Sequence, residues 1–341
     1  MKIGIVGYQG SGKSTLFHWL TGVAADPGLA HASQSAMASV PEERISELCK
    51  IYTPKKITQA SIEIVDTPGL ARTHEGSAQK LATIREAGAL VVVVANFGGT
   101  EAAADLQNFA DDLLIADLEI VSGRVERLRD SVKKPRPGRE KEQEELALLE
   151  PLLAELEAGR PLHKAPLTVE QRKATRSFQL FSEKPRLAIV NIADDDTQPE
   201  RFAPLAPPGT DLAALSLTLQ IDLAAMSPEE RDEFCREMHV GPASRDDLLR
   251  RIMQASGQML FFTAGEKEVR TWLLRQGGTA LEAAAGIHTD LAKGFIRAET
   301  MTVADLVRLG SEREIKAAGL VRQEPKDYVI QDGDIINIKH N

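Results

Sequence analysis

A glycine-rich stretch lies close to the amino terminus of this chain and limits the folds that the chain can adopt. Residues 7–14 read Gly-Tyr-Gln-Gly-Ser-Gly-Lys-Ser and fit the pattern G-x-x-x-x-G-K-[ST]. An apolar run, Ile3 to Val6, precedes this stretch, and a helical pattern with Leu16, Phe17 and Leu20 on one side follows it. A phosphate-binding loop requires this strand–loop–helix context. The sequence therefore predicts an α/β domain with a nucleotide site at its first turn.

The chemistry of phosphate binding explains the residue types in this loop. Glycine lets the backbone turn its N–H groups inward, where they and the start of the next helix form a nest for phosphate oxygens. We expect Lys13 to reach the β- and γ-phosphates and Ser14 to hold Mg²⁺. The predicted nucleotide-binding residues of the loop are Gly7, Gly10, Ser11, Gly12, Lys13, Ser14 and Thr15.

Composition narrows the remaining function classes. A chain of 341 residues favours two or three domains, and its net charge of −9 argues against a surface that attracts nucleic acid as a whole. The strongest apolar run, Ala87 to Ala95, is too short to span a membrane, and a strand rather than a signal peptide begins the chain. Cys49 and Cys235 form no metal-binding pattern. We expect a cytoplasmic monomer that binds neither membrane nor DNA.

A second signal for a nucleotide site follows the next predicted strand, which covers 60–65. This strand ends in Asp66-Thr67-Pro68-Gly69-Leu70. Asp66 can orient the water shell of Mg²⁺, and the Gly69 N–H can meet a γ-phosphate and report its presence, as in a second switch. The pattern Asp-x-x-Gly is common in turns, but its distance of 59 positions from Gly7 indicates a nucleotide switch.

The stretch 22–40 occupies the place of a first switch loop. Such loops usually supply a threonine to the magnesium ion, but no threonine lies between Thr21 and Thr53. A flexible connector is therefore an open alternative to a working switch.

A base-reading motif is predicted where a later buried strand, Leu187 to Asn191, ends. The sequence Asn191-Ile192-Ala193-Asp194 is similar to the Asn-Lys-x-Asp motif of GTPases, with Ile192 in place of the lysine. Asp194 can accept hydrogen bonds from guanine, but base selectivity stays open, and a plain strand end before an acidic loop is the alternative. We predict a last strand over 215–219, with Ser216 in a loop over the base.

The residues from 112 to 184 predict an inserted antiparallel helical hairpin. Apolar residues recur there at heptad spacing, at Leu114, Leu118, Val121, Val125, Leu128 and Val132 and then at Leu146, Leu149, Leu153 and Leu156. The stretch 133–138, with two prolines and a glycine, predicts the turn between the helices. Pro151 is expected to kink the return helix or to lie near its start.

The tip of the hairpin is basic. Between Arg124 and Lys141 eight Lys or Arg residues stand against three Asp or Glu residues, a net charge of +5. This charge favours contact with the phosphate backbone of RNA, hence of a ribosome. A solvated helical surface is the alternative, and the absence of aromatic residues in this window gives no support to base stacking.

From residue 258 onward the pattern predicts a small α+β domain without a catalytic constellation, used for binding or autoregulation. The predicted strands cover 259–263, 269–274, 294–299, 327–330 and 334–338. Asp332-Gly333 is a typical hairpin turn and is predicted to join the last two strands.

In this carboxy-terminal region the chain resembles the YchF or Obg-like ATPases, a branch of the Obg-related translation-factor GTPases. The matching stretches are 262–272, 287–299 and 326–334, which are similar to the family's TGS domain, a β-grasp module. The resemblance implies a P-loop NTPase (G) domain over 1–111 and 185–257, a helical coiled-coil domain over 112–184 and a TGS-like domain over 258–341. It also implies slow hydrolysis of ATP or GTP and association with ribosomes.

The resemblance implies which positions are catalytic, and the chain departs from the family's sequence in two motifs. Leu70 occupies the position where Ras-like proteins keep a catalytic glutamine, so Lys13, Gly69 and Leu70 are the implied catalytic positions. The family's phosphate loop usually reads Gly-Leu-Pro-Asn-Val-Gly-Lys-Ser, and its base motif reads Asn-x-x-Glu, so this chain is a divergent member. No side chain is an obvious water-positioning group, although Gln9 is a candidate. The alternative function is a nucleotide-dependent binding module with little or no hydrolysis.

Overall fold

The computed structural model describes residues 1–26, 28, 32–72, 77–135, 137–162, 166–207, 210–238, 240–241 and 243–341. The chain forms two compact units, the first made of 1–36 and 63–243 and the second of 37–62 and 244–341. The domain predicted from residue 258 onward differs from the second unit, which begins at 244 and also contains 37–62.

Both units contain strands and helices. The strands are β1 (Lys2–Val6), β2 (Gln34–Ser39), β3 (Ile57–Thr58), β4 (Ser61–Asp66), β5 (Ala89–Asn96), β6 (Arg186–Ile192), β7 (Asp211–Leu215), β8 (Gln258–Ala264), β9 (Val269–Arg275), β10 (Phe295–Thr302), β11 (Arg322–Glu324) and β12 (Asp334–His340). The helices are α1 (Lys13–Thr21), α2 (Arg44–Tyr52), α3 (Ser77–Arg85), α4 (Ala102–Ser131), α5 (Arg139–Glu157), α6 (Val169–Thr175), α7 (Leu217–Ala225), α8 (Pro228–Met238), α9 (Arg245–Ala255), α10 (Ala280–Ile287), α11 (Thr289–Lys293), α12 (Val303–Leu309) and α13 (Glu312–Ala317).

The first sheet has the order β2-β4-β1-β5-β6-β7. Strand β1 pairs in parallel with β4 and β5, and β5, β6 and β7 continue the parallel pairing. The predicted α/β fold with a mostly parallel sheet is therefore confirmed. Because the carboxyl ends of parallel strands lie at one edge, the loops after β1, β4 and β6 meet there.

The predicted strand over 215–219 is wrong beyond its first residue. Strand β7 ends at Leu215, and helix α7 begins at Leu217. Ser216 is the N-cap of this helix, because its Oγ accepts a hydrogen bond from the Leu219 N–H at 3.2 Å. A serine at this position favours helix initiation over strand continuation.

The predicted helical hairpin is present as α4 and α5, which pack along the apolar seam. Val121, Val125 and Leu128 of α4 lie in one buried cluster with Leu149 and Leu153 of α5. Pro151 lies inside α5 rather than near its start, so the Ala147 carbonyl has no N–H donor from position 151. Arg136 of the predicted turn lies outside the described residues.

The second sheet has the order β11-β10-β12-β8-β9-β3 and carries helices on both faces. Successive side chains of a strand point to opposite faces, and β8 shows this at its centre. Phe261 packs in the cluster that contains Ala283 of α10, whereas Phe262 packs in the cluster that contains Leu48 of α2. Strand β3 pairs in parallel with β9. The segment 37–62 therefore supplies a helix and a strand to the second unit.

The predicted strand over 327–330 is wrong. Strand β11, at Arg322–Glu324, pairs with β10 instead, and Val329 forms only an isolated bridge with Thr279. The backbone here pairs with the start of α10: the Ala280 N–H donates to the Tyr328 carbonyl at 2.8 Å, and the Leu281 N–H to the Lys326 carbonyl at 3.0 Å. Asp332-Gly333 consequently joins no two neighbouring strands.

Candidate functional site

The loop between β1 and α1 approaches its neighbours so closely that only glycine fits at two positions. Gly7 has a φ of 147°, and a Cβ atom there would lie 2.2 Å from the Val93 carbonyl oxygen. Gly12 has a φ of 101°, and its Cβ would lie 2.3 Å from Asn191 Nδ2. Both φ values fall where L side chains are disfavoured. The spacing Gly7–Gly12 thus fixes the loop against β5 and β6.

Helix α1 begins with its N–H groups uncapped by any side chain. Gly12 is the N-cap, and the first turn holds no acidic residue. The first N–H groups of a helix lack partners within the helix, so those of Lys13, Ser14 and Thr15 are available to an anion. Helices α9, α10, α12 and α13, by contrast, each carry a Ser or Thr side-chain cap.

Lys13 is a buried cation that lacks a close anionic partner among the described residues. Its side chain is only 7% exposed, and its Nζ donates to the Tyr8 carbonyl at 2.8 Å. Burial lowers the Lys13 pKa to about 8; Asp66 opposes this change and Lys80 adds to it. A phosphate group would supply the missing negative charge.

Ser14 and Asp66 form the pair that is predicted to hold magnesium. Ser14 Oγ donates to Asp66 Oδ2 at 2.6 Å, while Asp66 Oδ1 is buried without a hydrogen bond to any described residue. Burial is the main reason that the Asp66 pKa is raised, against the effects of the Ser14 hydrogen bond and of Lys13. Mg²⁺ commonly takes one or two carboxylates together with substrate phosphates. The hydroxyl and the orphaned carboxylate oxygen therefore fit this ion.

The turn after β4 is hydrogen-bonded to the phosphate loop. The Gln9 N–H donates to the Leu70 carbonyl at 3.0 Å, and the Leu70 N–H donates to the Gly7 carbonyl at 3.2 Å. A Cβ on Gly69 would lie 2.7 Å from Lys13 Nζ, so Gly69 lies beside this cation. The Leu70 side chain is 1% exposed and belongs to the core cluster that contains Tyr8.

The predicted base-reading residues lie together at the end of β6. Asn191 Nδ2 donates to the Ser11 carbonyl at 3.2 Å, and its Oδ1 accepts from the Leu217 N–H at 3.0 Å. Asn191 thereby joins the phosphate loop to α7. Ser216 Oγ donates to Oδ1 of Asp194, whose side chain is exposed. Ile192, which replaces the lysine of the motif, is 4% exposed in the core.

A cluster around Tyr8 ties the phosphate loop to helix α4, and nothing in the sequence pattern indicated it. Tyr8 Oη donates to Asp112 Oδ2 at 2.8 Å, and its ring meets Phe109 edge to face at 5.5 Å. The Arg72 guanidinium lies 5.1 Å from the Tyr8 ring centroid and pairs with Asp105 at 2.6 Å. Tyr8 and Arg72 lie 64 positions apart in the sequence, so no local spacing reveals their contact.

The basic tip of the hairpin is partly neutralised. Ion pairs join Arg124 to Glu145, Arg129 to Glu150 and Lys133 to Asp130. Lys134, Arg139 and Lys141 are exposed and form no ion pair with a described residue. Within the part of the chain that the structure describes, no helix is long and apolar enough to cross a membrane.

A glycine-rich loop between the first strand and first helix of a parallel sheet, with Asp66 at the end of a neighbouring strand, defines a P-loop NTPase fold. Two family models agree with this class: residues 2–121 match the 50S ribosome-binding GTPase model, and residues 259–341 match YchF-GTPase_C, described as a protein of unknown function.

Full-length relatives identify the family. The ribosome-binding ATPase YchF of Escherichia coli O157:H7 is 33% identical over 362 residues, which cover 100% of this chain and 99% of that protein. Obg-like ATPase 1 of Oryza sativa subsp. japonica is 33% identical over 366 residues, with 100% and 92% covered. The YchF GTPase structure of Schizosaccharomyces pombe matches with a TM-score of 0.84 at 28% identity, covering 99% of this chain and 97% of that one. The chain belongs to the YchF/Obg-like ATPase family.

Proposed function

We propose that this protein binds ATP or GTP together with Mg²⁺ and hydrolyses it slowly, as a switch that acts on the ribosome. One arrangement carries the proposal: the uncapped start of α1, the buried Lys13 and the Ser14–Asp66 pair lie in one site. The names of relatives support it, since the Escherichia coli protein is a ribosome-binding ATPase.

The residues of the site account for the steps of phosphoryl transfer to water. The N–H groups at the start of α1 and the Lys13 ammonium bind the phosphates and stabilise the charge that develops on them. Ser14 and Asp66 would hold Mg²⁺, which neutralises phosphate charge when bound. The Gly69 N–H reports whether a γ-phosphate is present. Because Leu70 is apolar and buried, its side chain cannot position the attacking water. The slow rate in this proposal is the one that the resemblance to the family implies.

The enzymatic part of this proposal is tested with Lys13→Ala. We expect this variant to release phosphate from ATP and GTP much more slowly than the wild type, because Lys13 Nζ lies beside Gly69, the residue that is proposed to meet the γ-phosphate. Lys134→Ala, at the exposed hairpin tip, is the matched control and should hydrolyse at the wild-type rate. Equal rates for the wild type and Lys13→Ala would overturn the enzymatic proposal.

The ribosome contact is proposed to involve the exposed basic residues of the hairpin tip. The triple variant Lys134→Glu, Arg139→Glu and Lys141→Glu should weaken co-sedimentation with ribosomes and reduce its salt dependence, because fewer phosphates are contacted. A control triple variant of exposed lysines in the second unit changes the charge equally: Lys55→Glu, Lys267→Glu and Lys326→Glu. Equal weakening by both triple variants would contradict a specific role of the tip.

A nucleotide-dependent binding module with little or no turnover is the second candidate. The absence of a threonine between Thr21 and Thr53 favours it, because no threonine there can reach the magnesium ion. Nucleotide binding without phosphate release, even with ribosomes present, would select this function over hydrolysis.

Base preference is proposed to depend on Asp194, which is exposed and hydrogen-bonded to Ser216. A competition of ATP and GTP for the wild type and for Asp194→Glu tests this role. An unaltered ATP:GTP ratio in the variant would show that Asp194 does not contact the base.

We also propose the domain roles that the resemblance implies. The G domain would bind nucleotide, the α4–α5 hairpin would contact RNA, and the carboxy-terminal TGS-like β-grasp domain would serve binding or autoregulation in a cytoplasmic monomer. Size-exclusion chromatography with light scattering tests the monomer, and a dimer mass would contradict it.

A further inference from the structure

A group that positions the attacking water must accept a hydrogen bond from this water and donate one to the phosphate. A side-chain amide does both, whereas a lysine ammonium only donates. Lys80, whose Nζ donates to the Gly69 carbonyl at 2.9 Å, is therefore unsuited to this role. The buried Leu70 side chain offers neither an acceptor nor a donor.

The other polar side chains of the phosphate loop and of the turn 66–72 already have partners or are buried. Tyr8 Oη donates to Asp112, Ser14 Oγ to Asp66, Thr67 Oγ1 to the Ile5 carbonyl and the Arg72 guanidinium to Asp105, while Ser11 is fully buried. The Gln9 side chain differs from them, because it is exposed and its amide forms no hydrogen bond with a described residue.

Gln9 lies at the point where the phosphate loop meets the second switch turn. A Cβ on Gly69 would lie 3.1 Å from both Cα and Cγ of Gln9 and 2.7 Å from Lys13 Nζ. The Gln9 backbone is held there by its N–H bond to the Leu70 carbonyl at 3.0 Å. The amide oxygen and nitrogen of Gln9 are two bonds away from Cγ, which lies beside Gly69, the residue proposed to meet the γ-phosphate.

We infer that Gln9 orients the attacking water and thereby takes over, from within the phosphate loop, the role that a glutamine next to Gly69 has in Ras-like proteins. This inference rests on the proposed NTPase function. In the transition state, Gln9 Oε1 accepts a hydrogen bond from the attacking water, and Nε2 donates one to the γ-phosphate oxygen on which charge develops.

Gln9 neither gains nor loses a proton during hydrolysis. The water oxygen forms a bond to the γ-phosphorus while the bond from this phosphorus to the bridging oxygen breaks. The electron pair of that bond stays on the nucleoside diphosphate, and the proton of the water passes to a γ-phosphate oxygen. Gln9 contributes orientation and one hydrogen bond to the developing charge.

The test compares full-length wild type, Gln9→Ala, Gln9→Met and Lys13→Ala with both ATP and GTP. Gln9→Met keeps the length of the side chain but removes its amide. The readouts are the affinity for a non-hydrolysable triphosphate analogue, the single-turnover rate of hydrolysis, and the affinity for the diphosphate with and without aluminium fluoride, which mimics the transferring phosphoryl group. Gln276→Ala, an exposed glutamine in the second unit, is the control.

We expect both Gln9 variants to bind the analogue as the wild type does and to hydrolyse about 10²-fold more slowly, a magnitude typical of the loss of one hydrogen-bond donor to the charge that develops in the transition state. The gain in diphosphate affinity on adding aluminium fluoride should fall by a similar factor, because only the transition state uses the amide. A merely structural role of Gln9 would change the affinity for the analogue as well.

Two other outcomes separate this inference from the proposed function. Equal rates in the wild type and Lys13→Ala would mean that the protein is no NTPase, and both proposals would fail. Hydrolysis that depends on Lys13 but is unchanged in Gln9→Ala, or retained in Gln9→Met, would leave the NTPase function standing and overturn the role of Gln9.

Discussion

The Lys13 ammonium is buried in the folded protein, and this burial determines its pKa and its interaction with an anion. Burial lowers its pKa to about 8, and Lys80 acts in the same direction. The cost of burying the charge is recovered when an anion binds beside it. The motif in the sequence predicts Lys13 as a phosphate-binding residue, because Gly12-Lys13-Ser14 requires only local backbone geometry, and the structure places Lys13 at the start of α1. The pKa could not be predicted, because it depends on how completely distant residues exclude water.

We predict that nucleotide affinity falls as pH rises above about 8. Below this pH, Lys13 is already protonated in the free protein and adds no pH dependence. Above it, Lys13 has lost its proton in the free protein, and bound phosphate raises the Lys13 pKa again. Nucleotide binding therefore takes up a proton, and the nucleotide affinity falls by at most about tenfold per pH unit.

Calorimetric titration between pH 7 and 9.5, in buffers with different ionisation enthalpies, measures the affinity and the proton uptake together. Lys13→Arg is the control, because arginine stays protonated throughout this range. An affinity that is constant across the range, without proton uptake, would contradict the prediction.

Helix α4 connects the nucleotide site to the basic tip of the hairpin as one continuous element. Its first half carries Phe109 and Asp112, which contact Tyr8 of the phosphate loop, and its last turns carry Leu128 in the hairpin core. The heptad spacing predicted the hairpin, because such a seam is a local repeat. The contacts with Tyr8 could not be predicted, since they join residues 104 positions apart.

We predict that Tyr8→Phe lowers the free energy of unfolding by about 1–2 kcal/mol. The substitution keeps the ring contact with Phe109 and removes only the hydrogen bond to the Asp112 carboxylate, a bond to a charged group in a partly buried place. Chemical denaturation of the first unit, followed with and without nucleotide, measures the change.

A matched control for Tyr8→Phe is available in the second unit. Tyr52 Oη donates to Glu312 Oε1 at 2.8 Å, and Tyr52 is 7% exposed. Tyr52→Phe should destabilise the chain to a similar extent without any change in nucleotide affinity. If Tyr8→Phe leaves the free energy of unfolding unchanged while Tyr52→Phe lowers it, the hydrogen bond between Tyr8 and Asp112 does not stabilise the protein.

The division of the whole chain into units follows tertiary contacts rather than sequence order. The segment 37–62 lies between the phosphate loop and Asp66 in the sequence, yet its helix α2 and strand β3 belong to the second unit. The periodicity of Ile45, Leu48 and Ile51 in the sequence favours a helix with one apolar face. It could not reveal that Ile45 and Leu48 face Phe262 and Leu306, because a periodic pattern shows which side is buried but not its partner.

We predict that Leu48→Ala destabilises the second unit rather than the first. Leu48 is fully buried in the cluster with Phe262, Leu306 and Ile315, and truncation of such a leucine costs about 2–5 kcal/mol through lost transfer energy and a cavity. Hydrogen–deuterium exchange of the full-length protein should show faster exchange in β8, β9 and α12. Leu149→Ala, equally buried in the α4–α5 core, should accelerate exchange in the hairpin instead. Faster exchange in β1 and β5 with an unchanged second unit would contradict the assignment of 37–62, because the core that Leu48 fills would then be that of the nucleotide-binding sheet.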